Sequence, residues 1–190
     1  MSQQKLLKEV IDILNKNKIP YMLTGSIVSS LQGEPRLTHD IDIIIMIVEK
    51  DINKISSAFP GEHYYLSEST IKQAIRDKDQ FNIISIKEGD KIDFWILTDK
   101  PFDKSRFSRR QKENFLGFEI IVSSPEDTIL EKLYWSKLSG GSEKQLTDAL
   151  RVFEIQYEKL DIGYLKYWAD RLKIAVLLEK IISKAEIMSE

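Results

Sequence analysis

Thr24-Gly25-Ser26, then after a short apolar run Thr38-His39-Asp40-Ile41-Asp42-Ile43-Ile44-Ile45, is the stretch that decides how the rest of the chain is read. It reads as a small-residue turn opening a helix, a loop, and a strand carrying two carboxylates. Side chains at i and i+2 of a strand point to one face, so Asp40 and Asp42 are expected side by side. Like charges so placed repel, and burial would make the repulsion costly, so something should compensate them. On the other face Ile41, Ile43 and Ile45 can anchor the pair to a rigid sheet. Carboxylate oxygens are the hard ligands Mg²⁺ takes, usually with waters and substrate phosphates completing the shell. Upstream, the backbone N–H groups of Gly25 and Ser26 at a helix start make a natural seat for phosphate. A metal-bridged nucleoside triphosphate would fit both halves of the stretch.

Outward from it, Leu6, Leu7, Val10, Ile11, Ile13 and Leu14 recur at helical spacing between Ser2, a candidate cap, and Asn17. Pro20 to Leu23 forms a short strand into the turn, and the helix after Ser26 runs from Ile27 to Leu31. Arg36 and Thr38, in the loop feeding the acidic strand, either contact phosphate or acceptor, or brace the Asp pair. Glu49 to Phe59 and Ser67 to Asp77 read as helices, with a short strand near His63 to Leu66. Two β-rich runs, Phe81 to Ile86 and Lys91 to Leu97, flank Glu88-Gly89-Asp90 and signal a hairpin. Asp93 alternates there with Ile92 and Phe94, either as a third carboxylate on a half-buried strand or as an ordinary acid near the turn.

Asp99 to Asp103 reads as a turn, and Ser105 to Lys112 as a basic strand or loop paired with a last strand, Phe118 to Val122. That basic cluster is either a solvated face or a contact for RNA or phosphate. From Ser123 the chain turns helical. Ser124-Pro125-Glu126-Asp127 combines a cap, Pro at the first helical position and acids in the first turn. Three further helices follow, the last near Ile174 to Met188. The organisation expected is an α/β part over residues 1–122 and a helical region over 123–190 packed on it.

Composition narrows the field. With 42% hydrophobic and 31% charged residues in 190, the chain can bury a real core. A formal net charge of -2 supplies no global basic field of the kind nucleic-acid binders use. Cysteine is absent, which removes disulfides and thiolate metal sites, and two His argue against a His-rich zinc centre. No apolar run approaches a membrane span, and the N-terminal residues lack a signal-peptide core, so the cytoplasm is the expected compartment and no membrane partner is expected.

The order of Leu23-Thr24-Gly25-Ser26, a helix, and His39-Asp40-Ile41-Asp42-Ile43 resembles the nucleotidyltransferase superfamily whose best-known member is DNA polymerase β. The resemblance implies an α/β (α+β) nucleotidyltransferase fold, with a mixed β-sheet flanked by helices and a C-terminal helical bundle. It also implies a third acid from a strand beside the Asp-x-Asp strand, and Asp93 matches that place. The run Ser123 to Leu133, with Asp148 in the following helix, is similar to later motifs of the AbiEii-like branch, whose Lys and Asp fall on Lys132 and Asp148. That branch often carries an Arg between the two, and Leu138 to Ser142 here has none.

The activity so implied is transfer of a nucleoside monophosphate from an NTP to an acceptor, releasing pyrophosphate. Asp40, Asp42 and Asp93 would be the catalytic and metal-holding set for two Mg²⁺ ions, with Asp93 on the acceptor side. Gly25, Ser26, Thr38, Lys132 and Asp148 would be the nucleotide-binding set. For Lys132 and Asp148 the alternative is an exposed helix salt bridge. The acceptor is open and includes RNA. Alternatives for the whole chain are a toxin–antitoxin nucleotidyltransferase modifying tRNA, with an antitoxin or a second copy as partner, and a non-catalytic nucleotide- or partner-binding module.

Overall fold

Alternating and helical apolar patterns become buried faces in a computed structural model that describes residues 3–38, 40–87 and 89–186. Ser2, His39, Glu88 and Met188, which entered the expected cap, acidic motif, hairpin turn and last helix, lie outside the described residues. Strands β1 (Tyr21–Thr24), β2 (Ile41–Ile45), β3 (Tyr64–Tyr65), β4 (Gln80–Ser85), β5 (Lys91–Ile96), β6 (Gln111–Phe115) and β7 (Phe118–Val122) form one sheet in the order β3-β4-β5-β2-β1-β7-β6. The pairs β2/β5 and β1/β7 are parallel and the others antiparallel, so the sheet is mixed, as expected. The α-helices are α1 (Gln3–Lys16), α2 (Gly25–Gln32), α3 (Ile52–Ala58), α4 (Glu68–Asp77), α5 (Pro101–Ser108), α6 (Pro125–Leu138), α7 (Glu143–Gln156), α8 (Ile162–Leu172) and α9 (Ala175–Lys184). The chain divides into two compact units, Met1–Thr24 with His39–Val122, and Gly25–Thr38 with Ser123–Glu190.

The first unit holds the sheet with α1, α3, α4 and α5. One sheet face is apolar: Ile41, Ile43, Ile45, Phe81, Ile83, Ile92, Phe94 and Ile96 are all buried on it. Phe94 stacks on Phe81 at 5.2 Å and meets Phe59 edge-on at 6.2 Å. Each such side chain, fully buried, contributes about 1.5–3 kcal/mol, which is what holds this face shut. On the opposite face Met22 and Ile44 pack under Phe107 of α5, with Trp95 and Leu97 alongside. The next row in register on that face is polar, and it runs Thr24, Asp42, Asp93, Asn82.

Helix α5 departs from expectation. Pro101 to Asp103 opens a helix rather than a turn, because Pro at the first helical position pre-sets φ and lacks only an N–H that the helix would leave unpaired. The basic cluster therefore lies partly on α5 and only its end, from Gln111, on strand β6.

In the second unit α6 starts as its sequence dictates. Ser124 Oγ accepts the N–H of Asp127 at 3.2 Å and its hydroxyl donates to the Asp127 carboxylate at 2.7 Å. Tyr164 donates its hydroxyl to that carboxylate at 2.7 Å, and the Asp161 N–H donates to Glu126 at 2.9 Å, tying α8 to α6. Helix α2 lies tight on α7. A Cβ added to Gly33 would stand 2.9 Å from the Ser29 oxygen and 2.9 Å from the Val152 nitrogen, so backbone passes against backbone there.

Candidate active site

Within the sheet unit the carboxylates follow from strand register. Asp42 of β2 and Asp93 of β5 are direct partners on neighbouring parallel strands, and adjacent strands run about 4.8 Å apart. The sheet thus brings together two acids separated by fifty-one positions in the chain. Asp40 is placed differently from expectation: β2 begins at Ile41, and Asp40 stands exposed just before it. The strand geometry that puts i and i+2 on one face therefore stops short of Asp40.

Two neighbours that the sequence reading passed over engage the pair. The Trp95 indole N–H donates to Asp42 Oδ1 at 3.3 Å, and Lys91 Nζ meets Asp93 Oδ2 at 2.9 Å. Lys91, Asp93 and Trp95 alternate along β5, so a period-two reading of Lys-x-Asp-x-Trp was the available signal. The hydrogen bond from Lys91 to Asp93, with the fields of Asp93, Asp40 and Asp42, holds the ammonium above its ordinary pKa.

Asp42 and Asp93 suit a hard divalent ion: both are carboxylates on rigid strands, and Asp93 already faces a cation. They suit an ion that brings further oxygen ligands with it. Among the described residues no group of three or more His, Cys, Asp or Glu is gathered so as to hold a metal on its own.

The helical unit gathers charge of the opposite sign. Helix α2 opens at Gly25 with φ of +72°, a left-handed conformation that favours glycine and explains the small-residue turn. Arg36 forks onto Asp148, Nε to Oδ1 at 3.0 Å and one terminal nitrogen to Oδ2 at 2.8 Å. That same nitrogen donates to Ser26 Oγ at 2.9 Å. Lys132 Nζ donates to Asp148 Oδ2 at 2.7 Å and reaches Ser26 Oγ at 3.5 Å, while the Ser29 hydroxyl donates to Asp148 at 3.3 Å.

Lys132 and Asp148 do form a helix-to-helix salt bridge, but their side chains are only 5% and 8% exposed, so the exposed version of that alternative does not hold. Arg36 clamps the Asp148 carboxylate. Burial pushes the Lys132 ammonium below its ordinary pKa, against the pull of Asp148. For Asp148 burial acts to raise the pKa, but hydrogen bonds from Arg36 and Lys132 outweigh it and hold the carboxyl below its usual range. Two cations thus meet the one Asp148 carboxylate beside the Ser26 hydroxyl. Thr38 sits half-buried at the end of the same loop, past the fully exposed Leu37.

In the basic cluster Arg106 and Lys112 are paired with acids, and so is Lys104 just before it. Arg106 meets Asp103 at 2.9 Å, Lys104 meets Asp99 at 2.9 Å, Lys112 meets Glu119 at 2.8 Å, and Arg110 lies over the Phe107 ring at 4.1 Å. Cations so engaged make a poor track for an RNA backbone.

The mixed sheet flanked by helices is a fold that solved nucleotidyltransferase structures share. The chain is similar to ANT(2'')-Ia in complex with adenylyl-2''-tobramycin, with TM-score 0.56 at 10% identity over 97% of this chain and 99% of that one. It is also similar to the lincosamide antibiotic adenylyltransferase LnuA bound to lincomycin, with TM-score 0.55 at 17% identity over 80% and 96%. An antigenic nucleotidyltransferase-like protein from Paracoccidioides brasiliensis gives 0.54 at 15% identity over 98% and 94%. At such identities the likeness is one of fold. No family model and no curated protein matches the sequence.

Proposed function

We propose that the protein is a nucleotidyltransferase that moves a nucleoside monophosphate from an NTP to a small acceptor and releases pyrophosphate. The observation that carries this is Asp42 in register with Asp93 on adjacent parallel strands. Asp42 and Asp93, with Asp40 contributing from the strand's entry, would hold Mg²⁺. Bound there, the ion supplies charge stabilisation at the attacking and leaving oxygens. The acceptor oxygen or nitrogen attacks the α-phosphorus, its new bond to phosphorus forms as the bridge to the β-phosphate breaks, and its proton passes to Asp93. Pyrophosphate leaves.

Gly25 and Ser26 would receive the β,γ-phosphates at the start of α2, with Arg36 and Lys132 beside Ser26. Thr38 would add a hydroxyl to that set. In this reading Lys132 acts mainly through Asp148 and Ser26, because its ammonium is buried against them. A small acceptor is preferred to RNA because the cations of α5 and β6 are largely paired with acids. The antibiotic-modifying neighbours point the same way. The toxin-type reading rests on the run Ser123 to Leu133 with Asp148, and its Lys132 and Asp148 are engaged in the buried cluster.

The test offers labelled NTPs with Mg²⁺ or Mn²⁺ to tobramycin, lincomycin, other small hydroxyl and amino compounds, cell RNA and a protein extract. A labelled small acceptor, lost in Asp42→Asn and Asp93→Asn, is the expected result. Labelled RNA would transfer the proposal to the tRNA-modifying reading. No label on anything, with Mg²⁺-dependent NTP binding intact, would leave a nucleotide-binding module.

A further inference from the structure

The acidic row of the sheet carries its own cation. Lys91 is the first residue of β5 and stands two positions before Asp93 on the same strand face, with its ammonium 2.9 Å from Asp93 Oδ2. The two partners differ in freedom. Asp93 is only 16% exposed and fixed on a strand paired on both sides, whereas Lys91 is 51% exposed on a flexible four-carbon stem. An ammonium so placed can rotate into solvent without any change in the strand. A buried one, such as Lys132, cannot.

We infer that Lys91 is a tethered counter-ion which occupies the acceptor-side cation position of the acid pair and must swing away before a divalent ion can bind Asp93. This rests on the metal-dependent reading above and deepens it, since it concerns the threshold of metal loading. Asp93 is held by a full positive charge, and a divalent ion would reach it only when Lys91 is expelled. The consequence is a brake on idle chemistry, because Asp93 can neither ligate an ion nor take a proton while the ammonium sits on it.

The experiment measures Mn²⁺ binding to the full chain, by calorimetry and by electron paramagnetic resonance, with and without a non-hydrolysable NTP analogue. Wild-type protein is compared with Lys91→Met, which keeps the stem and removes the charge, Lys91→Arg, which keeps the charge, and Asp42→Asn. Lys91→Met is expected to bind Mn²⁺ about tenfold or more tightly than wild type, the scale on which neighbours of a metal ligand act. Its metal-free melting temperature should fall, since the acids lose their counter-charge, and Mn²⁺ should raise it further than in wild type. Lys91→Arg should stay close to wild type. Equal Mn²⁺ affinity in wild type and Lys91→Met, with binding lost in Asp42→Asn, overturns the inference and leaves the nucleotidyltransferase reading standing. Weaker binding in Lys91→Met also overturns it. Absence of Mn²⁺ binding in wild type and Lys91→Met alike, with or without the NTP analogue, removes both.

Discussion

The two units handle a carboxylate next to cations in opposite ways. In the helical unit Asp148 is 8% exposed, clamped by Arg36 and Lys132 and touched by the Ser29 hydroxyl. In the sheet unit Asp93 is paired with a half-exposed Lys91, and Asp42 takes a long bond from the Trp95 indole. A buried ion cluster costs several kcal/mol to desolvate and only pays if every charge is matched, so removing one member is severe. A half-exposed ion pair contributes about 0–1 kcal/mol and exchanges readily with ions in solution. The first arrangement suits a permanent scaffold, the second a place where charge arrives and leaves.

The sharpest way to break this contrast is Asp148→Ala. It leaves Lys132 buried without its carboxylate, and a loss of about 3–5 kcal/mol is expected in urea unfolding. A loss below about 1 kcal/mol would put Asp148 on the same footing as the exposed pairs of the sheet unit. Next comes Gly33→Ala, which drives a methyl into the Ser29 and Val152 backbone and should cost about 1–3 kcal/mol by overpacking. If chemical denaturation shows no change there, α2 and α7 can yield, and the scaffold is softer than its contacts imply.

Asp93→Asn should change stability by no more than about 1 kcal/mol while removing label transfer, the reverse of a scaffold residue. Folding stability and transfer are measured on the same preparation, and a collapse of both would erase the distinction between the units. The smallest effect is expected at the exposed Lys8–Asp12 pair of α1, where Lys8→Ala should cost about 0.3–0.5 kcal/mol at low salt.

Acid unfolding sharpens the contrast further. The folded Asp148 carboxyl titrates below its ordinary value of 3.8, because its hydrogen bonds to Arg36 and Lys132 outweigh burial. The unfolded chain then binds the proton more readily than the folded one. The stabilisation is complete above the unfolded pKa and is lost as pH falls through the folded one. Stability measured from pH 6 to pH 2 should fall less steeply in Asp148→Ala than in wild type. An unchanged slope would mean that other groups set the acid limit.

Much of the scaffold was legible in the chain. Helix α6 announced itself through Ser124 and Pro125, and α1 through its apolar spacing, because capping and periodicity are local. Helix α5 reads in the sequence as a turn and a basic strand or loop, since its apolar residue Phe107 matters only once it lies over Met22 and Ile44. The acid pair on one strand was half legible. Asp42 lies on β2 as the alternation required, while Asp40 falls just outside it.

The sequence by itself determined the start of α6, the alternating strands, the small-residue turn at Gly25 and the supply of acids. These are properties of the chain or of neighbours three or four residues apart, and they survive without knowledge of the fold. Only the tertiary structure decided that Asp42 stands in register with Asp93, that Lys91 pairs with Asp93, and that Arg36 clamps Asp148 together with Lys132. Each of these joins residues through register or burial, and a charge's role depends on how much water remains around it. That quantity is written in no single segment of the chain.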